Sequence, residues 1–157
     1  MKWAVSILFL VFLSPAEAQI RRDSQDRLYP TLLDKESRVT DVQIQKAKQL
    51  FQTIENAILD RDIASFAPRF DKQIFVNISK GESGYFSSDQ ATSILQHYLA
   101  TRKVISFKFT RLSEKGLSPY ATGRLLSIYR GSQESAQVYV SCTWQDNAWV
   151  IGQFNIY

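Results

Sequence analysis

The sequence predicts an α+β fold in which N-terminal helices pack on an antiparallel sheet, and three observations support this prediction. Apolar residues recur with helical spacing in two segments between residues 41 and 100. After Arg102 the apolar pattern changes to the alternation that is typical of strands. Helices come first and three or four strands close the chain, which favours α+β over the alternating order of a parallel α/β fold.

The first residues have the pattern of a secretory signal peptide. Lys2 gives a positive start, and the apolar or small run Ala4–Leu13 follows it. A small-x-small pattern ends at Ala18, so we expect cleavage between Ala18 and Gln19. Because the apolar run is too short to cross a bilayer, we expect an exported protein, periplasmic or extracellular, with no membrane span after cleavage of residues 1–18.

A charged segment, residues 19–40, is expected to be a leader or linker before one domain, residues 41–157. The first helix is expected to begin near Thr40, because Thr40 and Gln43 have the spacing of a capping box, and to end at Asp60. One apolar stripe of this helix should face a core: Ala47, Leu50, Phe51, Ile54 and Ile58.

A short second helix is predicted from Asp62 to Ala67, where Pro68 would stop it. A strand follows at residues 73–78, and the segment 79–84 is interpreted as a loop. A second capping box, Ser87-x-x-Gln90, predicts the clearest helix of the chain. Its apolar stripe is Ala91, Ile94, Leu95, Tyr98 and Leu99.

The closing strands are predicted from their alternation. Gly123 lies inside the second long strand, where an isolated glycine indicates a bulge or bend. The last hairpin turns at Asp146 and Asn147. Alternation assigns the following residues of this hairpin to the core: Val138, Val140, Trp144, Phe154 and Ile156. It assigns Trp149 and Tyr157 to the opposite face, where a second subunit could cover them.

Several chemistries are disfavoured by composition. One histidine and one cysteine lie on separate elements, so no zinc site is expected. His97, the only neutral-pH base, falls outside the apolar stripe of its helix and should face solvent, which weakens any catalytic triad. The six glycines form no phosphate-binding loop, so no cofactor is expected. The net charge of +4 is scattered, so we expect no nucleic-acid partner.

Cys142 is the only cysteine, so an internal disulfide cannot form. A buried thiol in a strand is the favoured interpretation, and an intermolecular disulfide or a nucleophile is the alternative. The candidate general bases are carboxylates near the helix-to-strand corner, Asp62 and Asp71. An aspartate at such a corner more often caps a helix end than acts in catalysis.

Four segments resemble a known family: "DIASFAPRFDKQIFVNI", "FSSDQATSILQHYLATRKVISFKF", "YATGRLLS" and "WVIGQFNIY". They are similar to the bacterial exported family called domain of unknown function 4783, within the nuclear transport factor 2-like, or cystatin-like, fold. This resemblance implies a cone, meaning a curved antiparallel sheet wrapped by helices, and often a dimer. It implies no activity.

Two functions remain open at this point. The favoured one is a non-catalytic module that binds a small apolar ligand or a protein, with a homodimer through the sheet face. The expected lining of a ligand pocket is Tyr85, Tyr98, Phe107, Tyr120 and Trp144. The alternative is an enzyme of the ketosteroid-isomerase or polyketide-cyclase type, with Asp71 or Asp62 as the base and a tyrosine hydroxyl stabilising an enolate. No pairing of base and donor from that fold can be matched here, so no catalytic residue is assigned.

Overall fold

The computed structural model describes residues 39–157, and these form two α-helices and one sheet of six strands. The predicted signal peptide and nearly all of the predicted leader lie outside the described residues. In chain order the elements are α1 (Asp41–Asp60), β1 (Phe70–Ile78), β2 (Ser83–Ser87), α2 (Ser88–Ala100), β3 (Lys103–Ser113), β4 (Tyr120–Tyr129), β5 (Ser132–Gln145) and β6 (Ala148–Ile156). No helix within residues 39–157 is both long and apolar enough to span a membrane.

Both predicted capping boxes are confirmed. The Gln43 amide donates to the Thr40 hydroxyl at 3.3 Å, and the Thr40 amide donates to the Gln43 side chain at 2.8 Å. Ser87 and Gln90 make the same reciprocal pair at the start of α2. These bonds satisfy amides that a helix start leaves without partners, so the helix boundaries are set by local sequence.

The sheet order is β2-β1-β6-β5-β4-β3. All neighbouring strands are antiparallel except β1 and β6, which are parallel. The α+β class is therefore confirmed, but the expectation of a purely antiparallel sheet is wrong for this one pair. Along the chain β1 is followed by β2 and α2, and its parallel neighbour is the last strand, β6. Segments adjacent in sequence therefore gave no indication of this pairing.

Two local predictions are wrong. The predicted helix Asp62–Ala67 is a pair of 3₁₀ turns, Ile63–Ser65 and Ala67–Arg69. Ile63 and Phe66 are its buried residues, and a separation of three matches the 3₁₀ period rather than a longer α-helical stripe. The predicted loop 79–84 already contains the first residues of β2, which pairs with β1 from Ser83 onward.

The face assignment in the last strand is also wrong for Trp149. Ser141 pairs with Gln153 and Cys142 pairs with Ile151, so Gly152 is an extra residue on β6. Such a bulge reverses the alternation of the strand. Trp149 therefore points into the core and is 3% exposed, whereas Tyr157 stays on the other face and is 53% exposed.

The predicted irregularity at Gly123 is confirmed. The register of β3 against β4 shifts between Phe109 and Arg111, next to the pairing of Phe109 with Gly123. A Cβ atom at Gly123 would lie 2.5 Å from the carbonyl oxygen of Lys108. A side chain therefore cannot be accommodated where these two backbones approach.

Candidate functional site

The interior of the cone, between the helices and the sheet, is filled with side chains. Phe66 and Phe154 stack with their ring centroids 5.9 Å apart, and Phe70 meets Phe66 edge to face at 5.6 Å. A void of about 10 Å³ lies within this core. It is lined by Ile58, Ile63, Leu95, Leu99, Leu125, Val138, Phe154 and Ile156. An apolar void of this size holds at most one water molecule, so it has no room for an organic ligand.

Two residues predicted to line a pocket belong to this packing. Phe107 is buried and contacts Phe109 with the ring centroids 4.9 Å apart. Trp144 is half-buried against Trp149, with centroids 5.0 Å apart, and Lys46 Nζ lies 5.3 Å from the Trp144 ring. Phe107 and Trp144 therefore fill space and stabilise the fold, and they lie in different parts of the fold.

The candidate bases lie apart from the interior. Asp62 is exposed and accepts a short hydrogen bond from the Ser65 hydroxyl, so it holds the 3₁₀ turn. Asp71 accepts from the Lys72 amide at 2.7 Å and from the Gln145 side chain at 2.9 Å. Within residues 39–157 no hydrogen bond joins either carboxylate to a tyrosine, and no three acidic, His or Cys side chains cluster as metal ligands would.

The outer face of the sheet, opposite the helices, carries a row of aromatic and amide side chains. The strand pairings place the following residues side by side across this face: Tyr85, Phe75, Gln153, Ser141 and Tyr120. Tyr85 is 73% exposed and meets Phe75 edge to face at 5.2 Å. Tyr120 stacks on Tyr139 with centroids 5.8 Å apart. The predicted pocket residues Tyr85 and Tyr120 therefore lie on an open surface.

Asn155 lies at the centre of this outer face, between Asn77 of β1 and Tyr139 of β5. It is 1% exposed, and its Nδ2 donates to the Tyr157 hydroxyl at 2.9 Å. Its Oδ1 is buried and accepts no hydrogen bond from the described residues. A buried acceptor without a donor is costly, which is unusual in a sheet that is otherwise well paired.

Tyr98 belongs to a second candidate site, the Arg102 cleft. This cleft has a volume of about 440 Å³ and is lined by Ile78, Ser79, Lys80, Gly81, Glu82, Ser93, Ile94, His97, Tyr98, Thr101, Arg102 and Tyr129. The Arg102 guanidinium carbon lies 3.8 Å from the Tyr98 ring centroid and 4.2 Å from that of Tyr129. Burial raises the pKa of the Tyr98 hydroxyl, and the nearby positive charge of Arg102 opposes this effect. His97 is exposed at the cleft, which agrees with the predicted solvent-facing position.

Cys142 is 1% exposed on the core side of β5, as the favoured interpretation expected. Burial raises the pKa of its thiol to about 12. The thiolate is the reactive form, so the folded protein should hold this group unreactive.

We expect Cys142 to resist alkylation by iodoacetamide at pH 8 in the folded protein and to react fully in denaturant. Mass spectrometry of the intact protein measures both. The pKa of this thiol is higher in the folded chain than in the unfolded chain, so the protonated thiol contributes fully to folding stability below about pH 8.5. This contribution declines as pH rises toward 12. Rapid alkylation without denaturant would contradict this assignment and restore the nucleophile as an alternative.

Sequence reasoning missed three of the residues that define these surfaces: Arg102, Tyr129 and Asn155. Arg102 was interpreted only as the point where periodicity changes. Tyr129 comes from β4, 27 positions after Arg102, and no local pattern joins them. Asn155 lies between the apolar residues Phe154 and Ile156. A polar residue at such a position was the one available signal.

Comparison with family models matches residues 51–157 to the domain of unknown function DUF4783. Comparison with curated proteins finds no match. Among solved structures, a DUF4783 family protein from Bacteroides uniformis is similar with a TM-score of 0.60 and 16% identity, over 67% of this chain and 93% of that one.

Two further structures agree with this fold. A DUF4783 family protein from Bacteroides ovatus is similar with a TM-score of 0.58 and 16% identity, over 66% of this chain and 90% of that one. A nuclear transport factor 2-like protein of unknown function from Pseudomonas putida has a TM-score of 0.58 and 13% identity, over 74% of this chain and 87% of that one. At these identities the likeness concerns the fold alone, and it agrees with the nuclear transport factor 2-like cone expected from the sequence.

Proposed function

This chain belongs to the DUF4783 family, and we propose that it is a non-catalytic binding module that pairs with a second copy of itself through the outer face of its sheet. We further propose that it is exported to the periplasm or beyond, as its first residues predict. The outer face of the sheet is the observation that carries the pairing.

Two properties of the outer face support pairing with a second copy. Tyr85 and Tyr157 expose 73% and 53% of their surface, and tyrosine is enriched in interfaces because it combines an apolar ring with a polar tip. The central row of Tyr85, Phe75, Gln153, Ser141 and Tyr120 is uncharged, so pairing through this row brings no like charges together.

The enzyme alternative is not favoured. Catalysis of that type needs a carboxylate and a tyrosine hydroxyl facing one substrate in a water-excluding pocket. Asp62 is exposed at a turn, Asp71 is engaged by Gln145, and the void beside Phe154 in the core is only about 10 Å³.

Native mass spectrometry of the chain purified from its host envelope tests this function. We expect a dimer mass for the unmodified protein. The substitution Tyr85→Arg places a charge on the outer face and should shift the protein to monomer, because an unpaired charge in an interface is strongly unfavourable. Leu117→Arg is the matched control, since Leu117 is 67% exposed but lies in the β3–β4 connection.

A monomer of the unmodified protein at micromolar concentration would overturn the pairing. So would a dimer that survives Tyr85→Arg as well as it survives Leu117→Arg. Both substituted side chains are exposed and neither contributes to the core, so we expect both variants to keep the fold. Circular dichroism of both variants checks this.

A further inference from the structure

We propose that the Arg102 cleft binds small organic carboxylates that carry an apolar body. This site is separate from the outer face of the sheet, because its walls come from the C-terminal half of α2, the β1–β2 connection and the end of β4. It does not depend on dimerisation. Its volume of about 440 Å³ lies in the range of ordinary small-molecule sites.

The cation at this site is held in place before any ligand arrives. Arg102 is stacked between the rings of Tyr98 and Tyr129, at 3.8 and 4.2 Å from their centroids. Its Nη1 donates to the Tyr98 carbonyl oxygen and to the Thr101 hydroxyl, both at 3.1 Å. Fixing a guanidinium in this way removes much of the conformational entropy that a flexible arginine would lose on binding.

The guanidinium retains unused hydrogen-bonding capacity. Arg102 Nε lies 3.7 Å from Glu134 Oε2, which is an ion-pair distance but too long for a hydrogen bond. Nε is buried and has no hydrogen-bond acceptor among the described residues. Nη2 also makes no hydrogen bond to residues 39–157. Because Nε is buried and Nη1 is engaged, Nη2 is the group that an incoming carboxylate would meet, and a donor and acceptor that are both ionised form a charge-assisted hydrogen bond.

The rest of the cleft suits the other half of such a ligand. Ile78 and Ile94 supply aliphatic wall, and the tyrosine rings supply flat apolar surface. Lys80 contributes a second positive charge to the lining, and Glu82 is the one acidic side chain in it. Glu134, beyond the lining, is 47% exposed, so an incoming carboxylate can displace it toward solvent.

A pair of probes tests the proposal directly. The sodium salt of 3-phenylpropionate has the predicted chemistry, and 3-phenylpropanamide has the same shape without the charge. Titration of the isotope-labelled chain, followed by amide NMR shifts, should show saturable changes around Gly81, Ser93 and Arg102 with the acid. The amide probe should bind at least about tenfold more weakly, since it forms no charge-assisted hydrogen bond.

Two variants assign the binding to this cleft. Arg102→Lys keeps the charge but loses the planar group that the Tyr98 and Tyr129 rings hold in place, so we expect affinity for the acid to fall by about tenfold or more. Ser93→Trp fills the cleft from the exposed face of α2 and leaves the Arg102 stack in place, so it should abolish the shifts. Gln52→Trp, on the exposed face of α1 and outside the lining, is the matched control and should bind as the unmodified chain does.

Three outcomes would overturn the proposal: equal affinity for the acid and the amide, unchanged affinity in Ser93→Trp or Arg102→Lys, or no shifts with the acid at about 10 mM. The last of these would leave Arg102 a purely structural residue that joins α2 to β4. Native mass spectrometry of the same variants separates this result from the proposed pairing, because loss of ligand binding with an intact dimer concerns the cleft alone.

Discussion

Replacing Gly123 with alanine is expected to lower the free energy of unfolding by about 3 kcal/mol or more, since forced overpacking typically costs 1–3 kcal/mol and here the obstacle is backbone. The added Cβ would lie 2.5 Å from the carbonyl oxygen of Lys108 and 3.0 Å from the Phe107 ring. A flexible side chain could move away, but the Lys108 carbonyl belongs to the β3–β4 ladder. Urea unfolding, followed by circular dichroism, measures the loss.

Gly152→Ala is the matched control for this experiment. Gly152 is also a strand glycine beside a register shift, yet a Cβ there would meet no atom within 4 Å. We expect its unfolding midpoint to stay close to that of the unmodified chain. Equal destabilisation by the two substitutions would show that loss of a strand glycine, and not the close approach of β3 to β4, sets the effect.

Phe154→Ala should cost about 3–5 kcal/mol of stability and turn the filled cone into a cavity. Phe154 is 1% exposed, stacks on Phe66 and already borders the residual void. Removal of its ring would enlarge that void with apolar walls on all sides. Such cavities stay dry and take up small apolar molecules.

Thermal unfolding with and without benzene tests both parts of this prediction. Benzene should raise the midpoint of Phe154→Ala by mass action and leave the unmodified chain unchanged. Leu117→Ala, at a 67% exposed position, is the control and should change little. If the unmodified chain itself were stabilised by benzene, the cone would have room for a ligand and its assignment as filled core would be wrong.

Features set by neighbouring residues could be predicted from the sequence. Both capping boxes depend on residues three positions apart, and both helices begin where those residues predict. The core stripe of α1 was correct for the same reason. Gly123 could be predicted as an irregularity because a glycine inside a strand has few other uses.

Features set by distant pairing could not be predicted. The strand β2 is short, contains a glycine and has no fully buried residue. It forms because it pairs with β1. The bulge at Gly152 places Trp149 on the side of the sheet opposite to the one that simple alternation predicts, because the alternation pattern does not reveal an extra residue. Tyr98 is the only predicted pocket residue that lines the Arg102 cleft. Tyr129, the second ring against Arg102, comes from β4.

The parallel pairing of β1 with β6 also orders events during synthesis. β6 is made after the other five strands, yet it lies in the interior of the sheet with β1 on one side and β5 on the other. Without β6, strand pairing leaves β1–β2 and β3–β4–β5 as two separate parts of the sheet. Pairings between distant segments form slowly. We therefore expect the complete sheet to form only once β6 is available to join β1–β2 to β3–β4–β5.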